Sequence, residues 1–572
     1  MTTSIMSSHL FMVSVALLPR RASGTAAFPS LIRICWTGNV QLDTTSGALA
    51  VQDGGIRYRE RMDSHVTDLP QESAKPGRNT IVHGASLMVL MRVISRLIGI
   101  VSTTILARLL TPDDFGLVVL GTSILNVVQM LSELSLGAAL IRMRNVTRDH
   151  YDTAWTIGLI RGALVAGLIV ATAPFAAEAM HEPRVSAILW TLAIATVIQS
   201  LENIRLVDFQ MRMEFGGVFR YQFVGRVASF LTTLVLAIIL RNYWALVIST
   251  VVTSVATISY SYVMISNRPR LCLKAWRDLF DFSKWAVLGA YLAVIDNYSI
   301  TFLMGWIGGV RELGLYQVSA QIAALPASEI AAPIRPPLYA EFARLAAQPA
   351  ELARTFVNGF GFLFLVIVPM SLGIFVTAPM IAPLALGSQW TGAPAMIQAV
   401  VFYALFDAFG HYPQNLFVVM NRQPRLLVLA VIFLSVRVPA AIYGGWVGGP
   451  IGAVYGMVAT ALFGSIFWFL GVRPLVSASV WSLVRASWRS AAAGALMVAA
   501  LLALQQVWPL ATGAVALAVR FLVFVALGAI VHVGALMLLW WWCGCPDGAE
   551  AKAVRIAEGS LSRIRRRGLS FV

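Results

Sequence analysis

The segment at residues 84–110, GASLMVLMRVISRLIGIVSTTILARLL, decides how the rest of the chain is interpreted. At about 1.5 Å per residue, a helix of this length crosses the ~30 Å hydrocarbon layer of a bilayer. Arg92 and Arg96 lie one helical turn apart within it, and therefore on one face. An arginine at mid-membrane costs roughly 2.5–3.5 kcal/mol, so it normally faces protein or a water-filled cavity. The segment predicts a membrane helix whose basic face is turned into the protein.

A second apolar segment, 115–140, follows after the short turn TPDDFGL. It carries Asn126, Gln129 and Glu133 at i, i+3 and i+7, a spacing that puts the three side chains on one face of a helix. Because the second helix returns antiparallel to the first, Glu133 and Arg92 are expected at similar depth, where they could pair. The two segments predict a helical hairpin with a polar seam inside the membrane.

The composition of the whole chain supports a membrane protein. Hydrophobic residues make up 58% of the sequence and charged residues 12%, and the mean hydropathy is +0.76. A soluble domain is about 45–50% apolar and about 25% charged. The net charge of +16 does not indicate nucleic-acid binding, because the basic residues lie in short loops and tails, where membrane proteins place them.

From residue 84 onward the chain consists of apolar segments separated by short breaks that carry proline, glycine or charge. The fourteen approximate cores are 84–110, 115–140, 153–177, 185–204, 221–240, 244–265, 285–308, 314–339, 356–378, 392–420, 425–447, 450–472, 488–508 and 514–542. No loop between them is long enough for a soluble catalytic domain, and the sequence has no GxxxxGK[ST] phosphate loop. The predicted fold class is therefore all-α, a polytopic membrane protein with about 14 transmembrane helices.

The chain also contains an internal repeat. TTILARLLTPDDFGLVV, which begins at Thr103, matches ITFLMGWIGGVRELGLYQV, which begins at Ile300, with Gly116 falling on Gly314. The shift between the two copies is 198 positions and spans six of the predicted helices. Parallel repeats of six helices are a transporter architecture, with the substrate site between the halves.

The repeat predicts the domain organisation. Residues 84–265 hold helices 1–6 and form a first lobe, and residues 285–472 hold helices 7–12 and form a second lobe of like topology around a central cavity. Residues 488–542 add two C-terminal helices.

The two ends of the chain differ from the segments between them. Residues 1–80 are mixed and polar, which predicts a disordered extension or a wrongly assigned start codon, with Met62 as the alternative start. Residues 543–572 form a basic tail. Neither end carries residues that indicate chemistry.

Lysine and arginine are concentrated in one set of alternate loops, which predicts the orientation of the chain. The basic set includes 142–152, 268–284 and 473–487, and the set poor in basic residues includes 178–184, 386–391 and 508–512. The basic set is therefore predicted to be cytoplasmic and the other set periplasmic. Both termini are then cytoplasmic.

Three stretches resemble one known family. ARLLTPDDFGLVVLGTSI (107–124), ELSLGAALIR (133–142) and SAQIAALPASEIAAPIRPPLYAEFARL (319–345) are similar to the Wzx-type polysaccharide transporters, which are flippases of the multidrug/oligosaccharidyl-lipid/polysaccharide exporter superfamily. The likeness extends over roughly 84–545 and includes the helix count.

The resemblance implies both an architecture and a substrate. The architecture is a V-shaped pair of six-helix lobes with two extra helices in the cell inner membrane. The substrate is an undecaprenyl-pyrophosphate-linked oligosaccharide, moved from the cytoplasmic to the periplasmic leaflet for exopolysaccharide, capsule or O-antigen assembly. The candidate partners are a polysaccharide polymerase and an export complex.

The charged residues within the first lobe are mostly basic. Arg92, Arg96 and Arg161 are the candidate pyrophosphate ligands, because the guanidinium fork binds phosphate oxygens bidentately. Glu202 joins the residues of the polar seam as a candidate lining of the cavity. The alternative is that these charges form interhelical salt bridges that hold the bundle together.

The second lobe is more acidic and offers candidates for ion coupling. Asp296 lies deep in the seventh segment, and an intramembrane carboxylate is a proton or cation site by default. The alternative is that Asp296 pairs with Arg437. Asp407 and His411 at i, i+4 form either a proton relay, since histidine titrates near neutral pH, or a satisfied polar pair.

Other functional classes are less well supported by the sequence. A drug or metabolite exporter of the same superfamily favours twelve helices and a more acidic cavity. A membrane-embedded polysaccharide polymerase carries a large basic periplasmic loop, whereas the outer loops here are short. The four cysteines, Cys35, Cys272, Cys543 and Cys545, lack zinc-site spacing, so we expect neither a metal nor a cofactor.

The orientation predicts which loops react with an impermeant thiol reagent in intact cells. In a chain with all four native cysteines replaced, we expect Arg270→Cys to be protected from outside and His181→Cys, in the opposite loop set, to be labelled. Permeabilised cells should label both variants. Labelling of Arg270→Cys from outside would reverse the assignment.

Overall fold

The computed structural model describes residues 78–133, 136–143, 145–212, 214–279, 284–508, 513–552, 554–555 and 558. Every regular element within those residues is a helix, which confirms the all-α prediction. Nearly all of the predicted extension 1–80 and the last part of the tail 543–572 lie outside the described residues.

We number the α-helices in chain order. They are α1 (Arg78–Leu109), α2 (Pro112–Leu131), α3 (Leu136–Arg142), α4 (Arg148–Ala179), α5 (Arg184–Ser200), α6 (Val207–Met211), α7 (Phe215–Leu240), α8 (Trp244–Met264), α9 (Trp276–Leu279), α10 (Lys284–Ala323), α11 (Ala332–Arg344), α12 (Pro349–Ile381), α13 (Ala393–Val419), α14 (Gln423–Val476), α15 (Val480–Val507) and α16 (Ala514–Trp542). A 3₁₀ turn precedes α6 at Ile204–Leu206, and π-helical segments occupy Ala327–Ala331 and Ala382–Leu386.

Each predicted apolar segment has most of its residues on these helices. In the described part of the chain, ten helical spans are long and apolar enough to cross a membrane, or eleven if the bent pair α5 and α6 counts as one span. Two further turns are hidden inside long helices, since α10 is broken at Gly309 and α14 at Gly448 and Gly449. At Gly309 and Gly449 the backbone has a positive φ, which glycine adopts because it has no Cβ. These breaks are the turns that the pattern predicts between the seventh and eighth and between the eleventh and twelfth segments.

The predicted second segment, 115–140, falls within one candidate span, Pro112–Arg142, but its inner end is not one regular helix. α2 ends at Leu131 and α3 begins at Leu136, so Glu133 lies in a break rather than on a helical face with Asn126 and Gln129. Because Glu133 lies outside a regular helix, its side chain does not share a face with Asn126 and Gln129. It contacts a residue of another helix, as described below.

The turn TPDDFGL is fixed by hydrogen bonds of its own side chains. The Thr111 hydroxyl accepts from the Asp114 backbone N–H, and the Thr111 backbone N–H donates to the Asp114 carboxylate at 3.0 Å. This capping box satisfies amide groups that a helix start leaves free. The second oxygen of Asp114 accepts from the backbone N–H of Tyr243 at 3.0 Å, which ties the turn to the start of α8.

The two ends of the helical bundle are named here after one residue each. The Thr111 end carries the α1–α2 turn, the α7–α8 turn and the break at Gly309. There the Arg108 guanidinium donates to the carbonyl of Leu384 at 2.6 Å, and the Trp390 indole donates to the carbonyl of Ala107 at 2.8 Å. The Arg270 end carries the loop between α8 and α9, and the backbone N–H of Arg270 donates to the carboxylate of Asp152 at 3.2 Å.

The first half (84–265) and the second half (285–472) share apolar clusters at the Thr111 end. One cluster joins side chains of α1 and α2 to side chains of α10, α12 and α13: Leu106, Leu110, Phe115, Leu315, Val318, Ala378, Trp390 and Ile397. Near the Arg270 end, by contrast, one apolar cluster draws on 84–265 and another on 285–472 and the residues that follow it. The described halves are therefore packed together at the Thr111 end.

Gly116 and Gly314, which the repeat equates, lie at the crossing of α2 and α10. A Cβ added to Gly116 would lie 1.6 Å from the carbonyl oxygen of Val310, and one added to Gly314 would lie 1.9 Å from that of Pro112. The two helices therefore cross backbone against backbone, and only glycine allows this approach.

The crossing predicts the effect of adding a methyl group. We expect Gly116→Ala to lower the free energy of unfolding by about 1–3 kcal/mol, because the helices must separate to admit the new Cβ. Thermal unfolding of the detergent-purified protein measures this.

Gly99→Ala is the matched control, because a Cβ at Gly99 meets nothing within 4 Å. It should be neutral or slightly stabilising, since alanine is a better helix former than glycine. An unchanged unfolding temperature for Gly116→Ala would contradict the backbone contact.

Candidate functional site

Charged side chains of the described residues form three groups, one between the two halves and one within each half. We name them by their arginines: the Arg96 pair, the Arg161 pair and the Arg437 cluster. The groups differ in burial and in the number of partners of each arginine. A buried arginine with several partners indicates a structural role, whereas a half-exposed arginine with few partners can still bind an anion.

The Arg96 pair joins the two halves. The Arg96 Nε on α1 lies 3.2 Å from Oε1 of Glu329, and both side chains are 35% exposed. Glu329 belongs to the π-helical segment Ala327–Ala331, which follows α10. The Arg96 Nε is itself buried and makes no hydrogen bond, and none of the described residues accepts one from its guanidinium. The pair is thus a charge contact that leaves the buried Nε donor of Arg96 without a hydrogen bond.

The Arg161 pair lies within the first half. Arg161 Nη1 on α4 donates to Oε2 of Glu133 at 3.0 Å. The expected pairing of Glu133 with Arg92 was therefore replaced by one with Arg161, because the break after α2 turns the carboxylate toward α4. Arg92 is exposed, and within the described residues it has no carboxylate at ion-pair distance.

The Arg437 cluster lies within the second half and has several partners. Arg437 Nη1 lies 2.6 Å from Asp296 Oδ1 and 3.5 Å from Asp407 Oδ1, and its Nη2 contacts the hydroxyl of Tyr403. The Arg437 side chain is 4% exposed, whereas the two carboxylates are each 25% exposed. His411 Nε2 completes the group at 3.2 Å from Asp407 Oδ2.

This geometry bears on the residues predicted to couple to an ion. Asp296 pairs with Arg437, which was the alternative that the sequence left open, and Asp407 shares the same arginine. A carboxylate that is already held by a buried guanidinium offers a weak site for a further cation, since the cation must displace the arginine.

The remaining predicted cavity residues are dispersed. Asn126 and Gln129 on α2 are half-buried, and Asn126 lies beside Tyr298 of α10. Glu202 lies in the 66° bend between α5 and the following turn, not on a helix as the segment 185–204 predicted. Its carboxylate accepts a hydrogen bond from the Tyr221 hydroxyl of α7.

Some contributors were missed by the sequence reasoning. Tyr403 and Tyr221 supply the hydroxyls that hold Arg437 and Glu202, and apolar segments with isolated tyrosines give no signal of such partners. Arg335 on α11 is exposed and close enough to Asp407 to interact with it electrostatically. A signal for Arg335 was present, because it is a charged residue inside a proline-rich apolar segment.

The comparisons with known proteins agree with this architecture. Residues 105–395, just over half of the chain, match the family model described as polysaccharide biosynthesis protein. The lipopolysaccharide biosynthesis protein WzxC of Escherichia coli is 21% identical over 72% of this chain and 85% of that protein. The succinoglycan biosynthesis transport protein ExoT of Rhizobium meliloti is 20% identical over 51% of this chain and 60% of that protein.

Solved structures share the fold at low sequence identity. The lipid II flippase MurJ, in an inward closed conformation, superposes with a TM-score of 0.64 at 10% identity and covers 79% of this chain and 98% of its own. A multidrug resistance MATE transporter in an inward-facing conformation gives a TM-score of 0.52 at 15% identity over 67% of this chain.

The fold and the charged seam between its halves define a polytopic helical membrane protein of transporter architecture. The family match makes the identification more specific: the chain belongs to the polysaccharide biosynthesis protein family.

The Arg437 cluster predicts a stability effect that depends on which partner is removed. We expect Arg437→Met to lower the free energy of unfolding by about 3 kcal/mol, because it removes the buried guanidinium that Asp296 and Asp407 share. The triple variant Arg437→Met/Asp296→Asn/Asp407→Asn should recover much of that loss.

Thermal unfolding of the purified proteins provides the comparison, with the exposed Arg425→Met on the same helix as the control. If the single and triple variants were equally unstable, the arginine would contribute through packing alone and not through charge.

Proposed function

We propose that this protein is a flippase that moves an undecaprenyl-pyrophosphate-linked oligosaccharide from the cytoplasmic to the periplasmic leaflet of the inner membrane. The single observation that carries the proposal is Arg96. A guanidinium lies on an apolar helix at the seam between the two halves, and its buried Nε donor makes no hydrogen bond. Such a group suits a phosphate, whose oxygens accept from the fork bidentately.

The relatives support the same conclusion by their names. One is a biosynthesis protein for lipopolysaccharide, one is a transport protein for succinoglycan, and a structural neighbour is a flippase for lipid II. All three names concern glycans, and the last concerns a glycan carried on a lipid. We assign this chain a transport role rather than an enzymatic one on that basis.

The substrate path follows from the arrangement of the halves. With the Arg270 end cytoplasmic, as the basic loops predict, the apolar clusters at the Thr111 end close the periplasmic side. The pyrophosphate would enter from the cytoplasmic leaflet and meet Arg92, Arg96 and Arg161. Release follows when the halves separate at the Gly116–Gly314 crossing and close at the Arg270 end, which is alternating access between two repeats.

The driving force is available without a second ion. The pyrophosphate carries roughly two negative charges, and outward movement of an anion runs with the field of a cell whose interior is negative. Each charge gains ~2.3 kcal/mol per 100 mV, so two charges gain about 4–5 kcal/mol. Asp296, Asp407 and His411 stay candidates for binding an ion during the return step of the empty transporter. For Asp296, the contact with Arg437 favours a structural role instead.

Substitution of Arg96 tests the proposal. In proteoliposomes with an imposed potential, we expect Arg96→Ala to slow flipping of a fluorescent undecaprenyl-pyrophosphate oligosaccharide at least tenfold. Arg96→Lys should restore only part of the rate, since a single ammonium lacks the planar fork. Arg425→Ala, an exposed arginine away from the seam, is the matched control.

The amount of folded protein must be equal across the variants for this comparison. Normal flipping by folded Arg96→Ala protein would remove Arg96 from the substrate site. Flipping of lipids without a pyrophosphate at the same rate would instead favour a less selective exporter.

A further inference from the structure

The partner of Arg96 has features that a structural ion pair lacks. The shortest distance between Glu329 and the guanidinium is 3.2 Å, from Oε1 to Nε, and the Nε makes no hydrogen bond. The Arg437 cluster shows the opposite arrangement, a buried arginine in close contact with two carboxylates and a hydroxyl. The Arg437 cluster is therefore a buried structural contact, whereas the Arg96 pair is half-exposed and has no hydrogen bond at its Nε.

The backbone around Glu329 also favours movement. Glu329 lies in the π-helical segment Ala327–Ala331, with Pro326 just before the segment and Pro336 and Pro337 in the helix after it. A π-helical turn has an uneven hydrogen-bond ladder and is frequent at functional sites, and proline removes further backbone bonds. Among the described residues, one side chain donates a hydrogen bond to Glu329, that of its neighbour Ser328, at 3.2 Å. Little therefore fixes its carboxylate in place.

The pair also spans the two halves of the molecule. Arg96 lies about 20 Å along α1 from Leu109, as the helix rise gives, and so is displaced toward the Arg270 end. The contact therefore bridges the halves outside the apolar clusters that join them at the Thr111 end. Any separation of the halves near the Arg270 end must break this contact.

We propose that Glu329 is an internal counter-ion that occupies Arg96 when no substrate is bound and that the pyrophosphate of the substrate displaces. The inference rests on the proposed function. A carboxylate and a phosphate compete for the same guanidinium, and the phosphate gains because it can accept two hydrogen bonds from the fork, whereas Glu329 accepts none from the Nε. Once displaced, Glu329 is repelled by the bound anion.

The exchange couples loading to conformation. In the empty protein, the Arg96–Glu329 contact fixes the spacing of the two halves on the Arg270 side of the Gly116–Gly314 crossing. The substrate breaks the contact by taking the arginine, so the halves can close at the Arg270 end and separate at the Thr111 end only when cargo is present. A ligand shifts a conformational equilibrium by its different affinity for the two states, and here the difference arises from the lost contact. Glu329 is thus a positioning residue that reduces movement of the empty transporter.

Binding measurements on Glu329→Gln test the exchange. The substitution keeps the shape of the side chain and removes the competing charge. We expect the Kd for undecaprenyl pyrophosphate in detergent to fall about tenfold, and Glu329→Asp to remain close to the native value. The matched control is Glu341→Gln, an acidic residue of α11 that pairs with Arg344 at 2.5 Å. It should bind as the native protein does.

A second measurement follows the conformation. Spin labels at the exposed positions Arg212 and Arg422, one in each half near the Arg270 end, report the distance between the halves. We expect added undecaprenyl pyrophosphate to shift the distance distribution in the native protein. In Glu329→Gln the shifted distribution should already be present without ligand.

The outcomes separate the two proposals. If Arg96→Ala binds undecaprenyl pyrophosphate as tightly as the native protein, the proposed substrate site is wrong. If Arg96→Ala loses affinity but Glu329→Gln neither gains affinity nor shifts the distances, the substrate site stands and the counter-ion role of Glu329 is wrong.

Discussion

The approach of α2 to α10 at Gly116 and Gly314 is the contact on which the rest of the arrangement depends. Without side chains at these positions the two helices meet backbone to backbone, and the apolar side chains around the crossing close one end of the molecule. Association inside a bilayer gains nothing from the hydrophobic effect, so close packing of small residues has to supply the attraction. Joining the halves at one end leaves the charges of Arg96 and Glu329 as a bridge nearer the other.

The second constraint is the cost of charge in the membrane, which this chain meets in more than one way. Arg437 is buried and surrounded by acceptors, so its charge is neutralised within one half of the molecule. Arg96 and Arg161 are half-exposed and each faces a single carboxylate. Full neutralisation favours a rigid bundle, and partial neutralisation leaves binding energy for an anion. The proposed substrate site accordingly draws on Arg96 and Arg161 and not on Arg437.

Several features of the site followed from the sequence because they depend on local spacing. The one-turn interval between Arg92 and Arg96 puts both side chains on one face of any helix. The internal repeat aligns Gly116 with Gly314 without reference to their contacts. The partner of each charge could not be derived in the same way. Glu133 pairs with Arg161 because α2 ends early, and Glu202 reaches Tyr221 because the chain bends after Ser200. Both pairings depend on breaks that apolar periodicity does not reveal.

The all-α fold and its apolar membrane segments were determined by the sequence alone, because a bilayer leaves an apolar segment few alternatives to a helix. Tertiary structure alone decided which carboxylate meets which arginine. Those contacts join residues far apart in the chain, such as Arg96 with Glu329 and Asp296 with Arg437, and they depend on helix rotation and on breaks at single residues. Hydropathy averages over neighbouring residues and does not show how each helix is rotated about its axis. The residues that meet between the two halves are therefore defined by the packing of the helices.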